Sequence, residues 1–386
     1  MRPTGAMHVI DTLSAAGAER VAVNIVNHLP RDKYAPYLCT TRSDGPLDAL
    51  VAPDVVRVRL RRTARFNAGA VLRLRRVIRS NGIRLLHAHS SALFIARMAA
   101  AGTNTRIVWH AHFGRYATED RRAYHYRMAT AGIGGVITVN REMKEWCTRR
   151  LKLPSKLVWY LPNPVSLNDG SPEIPAESLP GGLGQRIICL ANFRPEKDHF
   201  TLIRAMARVA REAPSAHLLL AGKTNHAAYK KAVEEEIAAL GLTARVSILG
   251  ERHDVSAILR GCDIGVLSSV SEGLPMSLLE YGAARLPAVA TDVGQCPDVL
   301  DHGRAGILVP KESPEKLASA LLSLLRSTEE RKKLGDRSYE WVSKTFGAET
   351  VMRQLCGIYE TVLGGAMDCG ERTQTERDIL TSQTWS

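Results

Sequence analysis

The chain has 386 residues, 45% hydrophobic and 24% charged, which is enough for two to three domains with cores of their own. No apolar run approaches the ~20 residues of a membrane-spanning helix, and the opening MRPTGAMHVIDTL lacks the apolar core of a secretory signal, so a cytoplasmic chain is expected. The net charge of +13 is lopsided: residues 1–165 hold 27 Lys and Arg against 10 Asp and Glu, a balance of +17, while the rest stands at −4. A basic half of this kind predicts an anionic partner, whether nucleic acid, membrane surface or phosphorylated ligand.

Short apolar runs alternate with helical patterns along the chain. Strands are predicted at His8–Leu13, Pro36–Thr40, Val55–Leu60, Ile83–His87, Ile107–His110, Val136–Val139 and Leu157–Tyr160. Helices are predicted between them, among others at Gly17–Leu29, Ala68–Ser80 and Arg121–Ala131. Near-continuous apolar strands separated by helices are the rhythm of a parallel, doubly wound sheet. Residues 166–184, rich in Pro, Gly, Ser and Asn, read as a linker between a domain at 1–165 and a second at 185–347. The alternation restarts there, with strands at Arg186–Leu190, His217–Ala221, Val246–Leu249, Ile264–Leu267, Ala288–Thr291 and Ile307–Val309. After Ser313 the pattern is helical to Leu363, and the polar stretch 364–386 reads as disordered.

Two α/β halves imply a cleft, with ligands at the carboxyl ends of the strands. Gly17, at the first strand-to-helix turn, lets the backbone approach a ligand. VRVRLR places Arg57, Arg59 and Arg61 on one strand face, and Arg73, Arg75, Arg76 and Arg79 lie off the apolar stripe of the next helix, a pattern suited to anionic lipid. No aromatics interleave with these arginines, so no nucleic acid is expected. His87 and His89 end one strand and His110 and His112 another, which predicts a functional rim. Arg194 and Lys197 follow the first strand of the second half, where cations can neutralise a diphosphate. In SSVSEGLPMSLLE, Pro275 suits the start of a helix whose free amides at Met276 and Ser277 favour phosphate. Glu280 then falls roughly 7–8 Å along the axis, placed for a ribose diol, and Glu272 on the loop is placed for another hydroxylated group. The seven scattered cysteines show no metal spacing and read as reduced core thiols. There is no D-x-D among the strand-end loops and no G-x-G-x-x-G, so a metal–diphosphate site and a dinucleotide fingerprint are both unsupported.

These residues resemble the retaining, nucleotide-sugar-dependent glycosyltransferases of family 4, which have the GT-B fold. The likeness spans about residues 7–360 and rests on AGAERVAVN, HAHSS, the His110 strand end, VITVNREMKEW, YLPNPV, NFRPEKDH and, most specifically, Glu272-GLPMSLL-Glu280. It implies two Rossmann-like domains, the first taking most of the acceptor and the second the donor. It implies that Glu280 holds the ribose and that Glu272 lies near the donor sugar. Lys197, with Arg194, would sit on the diphosphate, His110 near the transferred sugar and Gly17 near the phosphates. Leu274, Pro275, Met276 and Ser277 would complete the donor side, with His89, Ser90 and His112 on the acceptor side. The helix at about 348–363 would cross back to the first domain. The co-substrate would be a nucleotide-diphosphate sugar, a uridine donor favoured over guanosine, with no bound cofactor and no metal. The acceptor would be a glycan, lipid-linked or small-molecule hydroxyl, at the inner membrane face if the basic half meets lipid. Three departures stand out: Ala16-Gly17 for a double glycine, Asn192 where an arginine is common, and Gly294-Gln295 with Asp298 after the next strand. The alternatives are a nucleotide-sugar epimerase, a sugar phosphorylase, or an anionic-surface or nucleic-acid binding protein without turnover.

Overall fold

The computed structural model describes residues 3–14, 17–64, 67–112, 123–164, 179–224, 226–252 and 254–364. Most of the linker reading, the 364–386 reading beyond its first residue and Cys369 therefore lie outside the described residues.

The first domain is a seven-stranded parallel sheet in the order β3-β2-β1-β4-β5-β6-β7. Its strands are β1 Thr4–Ile10, β2 Tyr34–Thr40, β3 Val56–Arg59, β4 Ile83–His89, β5 Arg106–Ala111, β6 Gly135–Thr138 and β7 Val158–Tyr160. The helices are α1 Gly17–His28, α2 Ala68–Ser80, α3 Leu93–Ala100, α4 Ala123–Thr130 and α5 Arg141–Arg149. Two of them start on side-chain caps: Asn67 accepts from the Ala70 amide and Asn140 from the Met143 amide.

The second domain is a six-stranded parallel sheet in the order β10-β9-β8-β11-β12-β13. These strands are β8 Arg186–Leu190, β9 His217–Ala221, β10 Val246–Gly250, β11 Ile264–Leu267, β12 Ala288–Thr291 and β13 Ile307–Val309. Around them lie α6 His199–Glu212, α7 Ala227–Ala239, α8 Val255–Arg260, α9 Met276–Ala283, α10 Cys296–Val299, α11 Pro314–Arg326 and α12 Thr328–Phe346. After Gly347, α13 (Ala348–Leu363) returns to the first domain, where Val351, Leu355 and Tyr359 pack on Ala6, Leu85 and Val108.

The second-domain strands match the sequence reading almost residue for residue, because each is a buried apolar run bounded by polar turns. In the first domain β2 starts two residues early, at Tyr34, β3, β6 and β7 shift by one residue, and three further differences stand out. β1 starts at Thr4 and stops at Ile10, not at 8 and 13, because its pairing with β2 and β4 runs through the small residues Gly5 and Ala6. β4 and β5 continue through His89 and Ala111. Arg61 does not share the strand face of Arg57 and Arg59: β3 ends at Arg59, and Arg61 takes φ +50°. The six described cysteines are unbridged, and burial pushes thiols such as Cys147 and Cys189 up to about 12.

The carboxyl ends of the two sheets meet. Tyr160 at the end of β7 accepts from Gln295 after β12 (3.0 Å), and Asn163 donates to the Met276 sulfur at the start of α9 (3.7 Å). Arg141 reaches Asp298 at 3.9 Å. Each sheet also reverses strand order between its central pair, β1/β4 and β8/β11, the switch points where such sheets open to ligands.

Candidate functional site

In the second domain the site grows from the loops after β8 and β11. Pro195–Lys197 forms a single tight turn, and Asp198, in the left-handed region at φ +44°, caps α6 by accepting from the Thr201 amide. The two loops are tied together. The Val270 amide donates to the Glu196 carbonyl, and the Ser268 hydroxyl lies 3.0 Å from the carbonyls of Lys197 and Asp198. The Thr291 hydroxyl at the end of β12 holds the Ser269 carbonyl at 2.6 Å.

This frame aims Lys197 at Glu272. The ammonium lies 2.5 Å from one carboxylate oxygen, which also accepts from the Ser269 hydroxyl at 2.6 Å. The Glu272 side chain is only 7% exposed, so its charge needs these partners. Gly294 holds the other side of the loop: it sits at φ +55°, and a Cβ there would collide with the Glu272 carbonyl. Leu274 and Pro275 lead into α9, where Met276 and the buried Ser277 form the first turn and Glu280 lies one turn on. Arg194 is exposed on the preceding loop. A cavity of about 590 Å³ opens beside Glu272, lined also by Asp292, Gly294, Lys311 and, from α5 across the cleft, Glu142. Lys311 and Glu142 were not read from the sequence, because nothing local marks a residue that meets a site only through tertiary packing.

In the first domain Gly17 begins α1, and a Cβ there would meet nothing within 4 Å among the described residues. Residues 15–16, including the alanine of the Ala16-Gly17 departure, lie outside the described residues. Asp11, just beyond β1, accepts from Ser91 at 2.6 Å, from Arg62 at 2.8 Å and from Thr41. Burial pushes its carboxyl up, but these three donors outweigh that and hold it below the usual range. Ser90 takes φ +49°, and its hydroxyl is buried without a partner among the described residues.

The histidines do not form an open rim. His8, His87, His89 and His110 are at most 1% exposed, and with His112 they make a stack across β1, β4 and β5. Alternation along each strand and the registers His8 with His87 and His89 with His110 put these four on the face that α13 covers, and His112 stacks on them just beyond β5. Burial pushes His8 and His112 down to about 3, and His87, His89 and His110 well below the ordinary value, so the stack is neutral near pH 7. Two overlapping triads, His8/His87/His89 and His89/His110/His112, bring ligand nitrogens within 4.8 Å. Most of those nitrogens already face one another or Tyr359 at hydrogen-bond distance.

The family model described as "Glycosyl transferases group 1" matches residues 172–341, and "Glycosyltransferase Family 4" matches residues 15–169. An N-acetyl-alpha-D-glucosaminyl L-malate synthase of Bacillus anthracis is 29% identical over 177 residues, 46% of this chain and 45% of that one. A lipopolysaccharide core biosynthesis mannosyltransferase, LpcC, of Rhizobium leguminosarum bv. viciae is 25% identical over 203 residues, 52% of this chain and 56% of that one. The chain thus spans about half the length of these curated relatives. A glycosyltransferase structure from Rickettsia africae ESF-5 superposes with a TM-score of 0.77 at 18% identity, over 95% of this chain and 100% of that one. The structure of Anabaena Alr3699/HepE with UDP and glucose gives 0.76 at 18% identity, over 92% and 99%. At these identities the structural likeness is one of fold.

Proposed function

Since the chain belongs to the family 4 glycosyltransferases, with the GT-B fold, we propose that it is a metal-independent, retaining hexosyltransferase that moves a sugar from a nucleotide diphosphate to a hydroxyl. The observation that carries this reading is the Lys197–Glu272 pair, set on tied loops at the β8/β11 switch point beside the start of α9. Breaking the bond from the anomeric carbon to phosphate builds negative charge on the diphosphate and positive charge on the sugar. Lys197, Arg194 and the amides of Met276 and Ser277 answer the first. As the phosphate draws Lys197 away, the Glu272 carboxylate becomes free to accept from hydroxyls of the donor sugar. Glu280, a turn into α9, accepts from the ribose diol. Retention then follows from attack on the face the phosphate leaves, with the phosphate taking the acceptor's proton.

The second domain, 185–347, is read as the donor side. The first, 1–165, is read as the acceptor side, with His89, Ser90 and His112 near the acceptor and His110 near the transferred sugar. A uridine donor is favoured over guanosine, supported by the UDP in the Anabaena structure. A peripheral place at the cytoplasmic membrane face is supported by the basic first half, and no described helix is long and apolar enough to cross a membrane.

The test is a melting panel with UDP, GDP, ADP and TDP, with and without magnesium, on wild type and Glu280→Ala. One nucleotide should raise the melting temperature without magnesium, and the variant should lose the effect. At ligand a hundredfold above Kd the stabilisation is about 2.7 kcal/mol. No shift with any nucleotide overturns the reading.

A further inference from the structure

Five histidines and one tyrosine are joined end to end, always in the same sense. His112 Nε2 lies 2.9 Å from His89 Nδ1, and His89 Nε2 lies 3.0 Å from His8 Nδ1. His8 Nε2 lies 3.2 Å from the Tyr359 hydroxyl, and that hydroxyl lies 2.6 Å from His87 Nδ1. His87 Nε2 lies 3.0 Å from His110 Nδ1. The chain ends at His110 Nε2, buried and without a partner among the described residues. At every joint between two histidines, Nε2 of one meets Nδ1 of the next.

A neutral imidazole has one N–H and one bare nitrogen, so a head-to-tail chain can be satisfied in only two ways. Either all five histidines carry the proton on Nε2, or all five carry it on Nδ1. A change of tautomer at a joint between two histidines would set two N–H groups, or two lone pairs, against each other in a buried place, and a change at Tyr359 with both neighbours donating would leave its own O–H without an acceptor. The tyrosine distances choose between the two. A hydroxyl donates at short range and an N–H sits farther from the oxygen it serves. The 2.6 Å contact is therefore the hydroxyl donating to His87, and the 3.2 Å contact is His8 donating to the hydroxyl.

We propose that this chain fixes the tautomer of His110, with Tyr359 and His87 as positioning residues that hold an N–H on its Nε2. The donor stands at the carboxyl end of β5, on the edge of the sheet that faces the second domain. Its use on a sugar or phosphate oxygen rests on the function proposed above; the chain itself does not. Reversal is balanced when a bound oxygen takes the proton from His110 Nε2: one proton enters His112 Nδ1 from water, and each internal proton moves one joint toward His110. The chain is neutral in both end states. Tyr359 belongs to α13, so the setting of His110 depends on the docking of a helix that follows the second domain.

The test is long-range proton–nitrogen NMR of the full chain with labelled histidine, near pH 7.5. All five signals should report the Nε2–H tautomer in wild type. A mixture among the five, or one histidine out of step, overturns the proposal even if no variant can be made. In Tyr359→Phe the link between His8 and His87 is gone, and His110 should become a mixture of tautomers. The second readout is hydrolysis of the nucleotide sugar whose base the melting panel identifies. The kcat of Tyr359→Phe should fall by about 10- to 100-fold, less than the ~10²–10⁴ a positioned proton donor contributes, because part of the His110 population keeps the Nε2–H, with KM changed less than about twofold. Unchanged kcat overturns the positioning role. Failure of the nucleotide panel leaves the tautomer result standing, so the two readings fail separately.

Discussion

Lys197 and Glu272 show how the site holds its charges. The cation neutralises the carboxylate that the proposed reaction needs, at 2.5 Å and with Glu272 nearly buried. Lys197→Met should therefore do two separable things. It should lower kcat by about 10²–10³, the loss of one donor to the leaving group. It should also destabilise the fold by about 1–3 kcal/mol, since Glu272 is left with Ser269 alone. Adding Glu272→Gln should restore most of the urea midpoint but none of the activity. A double variant no more stable than Lys197→Met would show that the pair is not a buried, compensated one. Both residues were legible in the sequence because Pro275 marks a helix start and a strand end precedes each loop. The role of Gly294 was not, although its position was noted, because the carbonyl it must avoid lies on another loop. The histidines were legible as strand-end residues and not as a stack, because the partner of His8 and His87 is Tyr359, 351 and 272 residues away.

At the scale of an element, β3 and α2 carry the densest positive charge, and packing decides how much of it faces outward. Arg57 pairs with Asp48, Arg59 with Asp44 and Asp48, and Arg62 with Asp11, so this charge is met inside the domain. Arg73 donates to the Leu60 carbonyl at 2.7 Å. What remains is the outer side of α2, where Arg76 and Arg79 are exposed and Leu72 is 65% exposed. A count of arginines overstates such a surface, since sequence alone does not say which acids fold back on which bases. If α2 meets an anionic bilayer, Arg76→Glu with Arg79→Glu should weaken binding to phosphatidylglycerol vesicles by about tenfold or more, at about 1 kcal/mol per charge. The loss should be steepest at low salt and vanish near 1 M, where screening acts within about 3 Å. Sedimentation with vesicles that is the same for wild type and variant removes the membrane reading and leaves transfer untouched.

The whole molecule divides its buried histidines unequally, which gives it an acid weakness in one domain. Five neutral histidines lie in the first domain, two of them held down to about 3. In the second, His199 is stacked on Phe193 at 4.6 Å and is held to about 4, with the half-buried His217 lowered less. An unfolded histidine titrates near 6.5. A folded pKa below that means the unfolded state binds the extra proton, so this stability is whole above about pH 7 and drains away as pH falls below 6.5. Each such histidine contributes a slope of up to about 1.4 kcal/mol per pH unit. Between pH 7.5 and 5.5 the first domain should lose stability several times faster than the second. Calorimetry should then show one transition at pH 7.5 parting into two at pH 5.5, with only the later one raised by the nucleotide that binds the second domain. Tyr359→Phe should bring the parting to higher pH, because it removes the hydroxyl that satisfies both His8 and His87. A single transition with the same midpoint at both pH values would mean that the stack takes up protons without unfolding, and that its neutrality is not what holds α13 against the sheet.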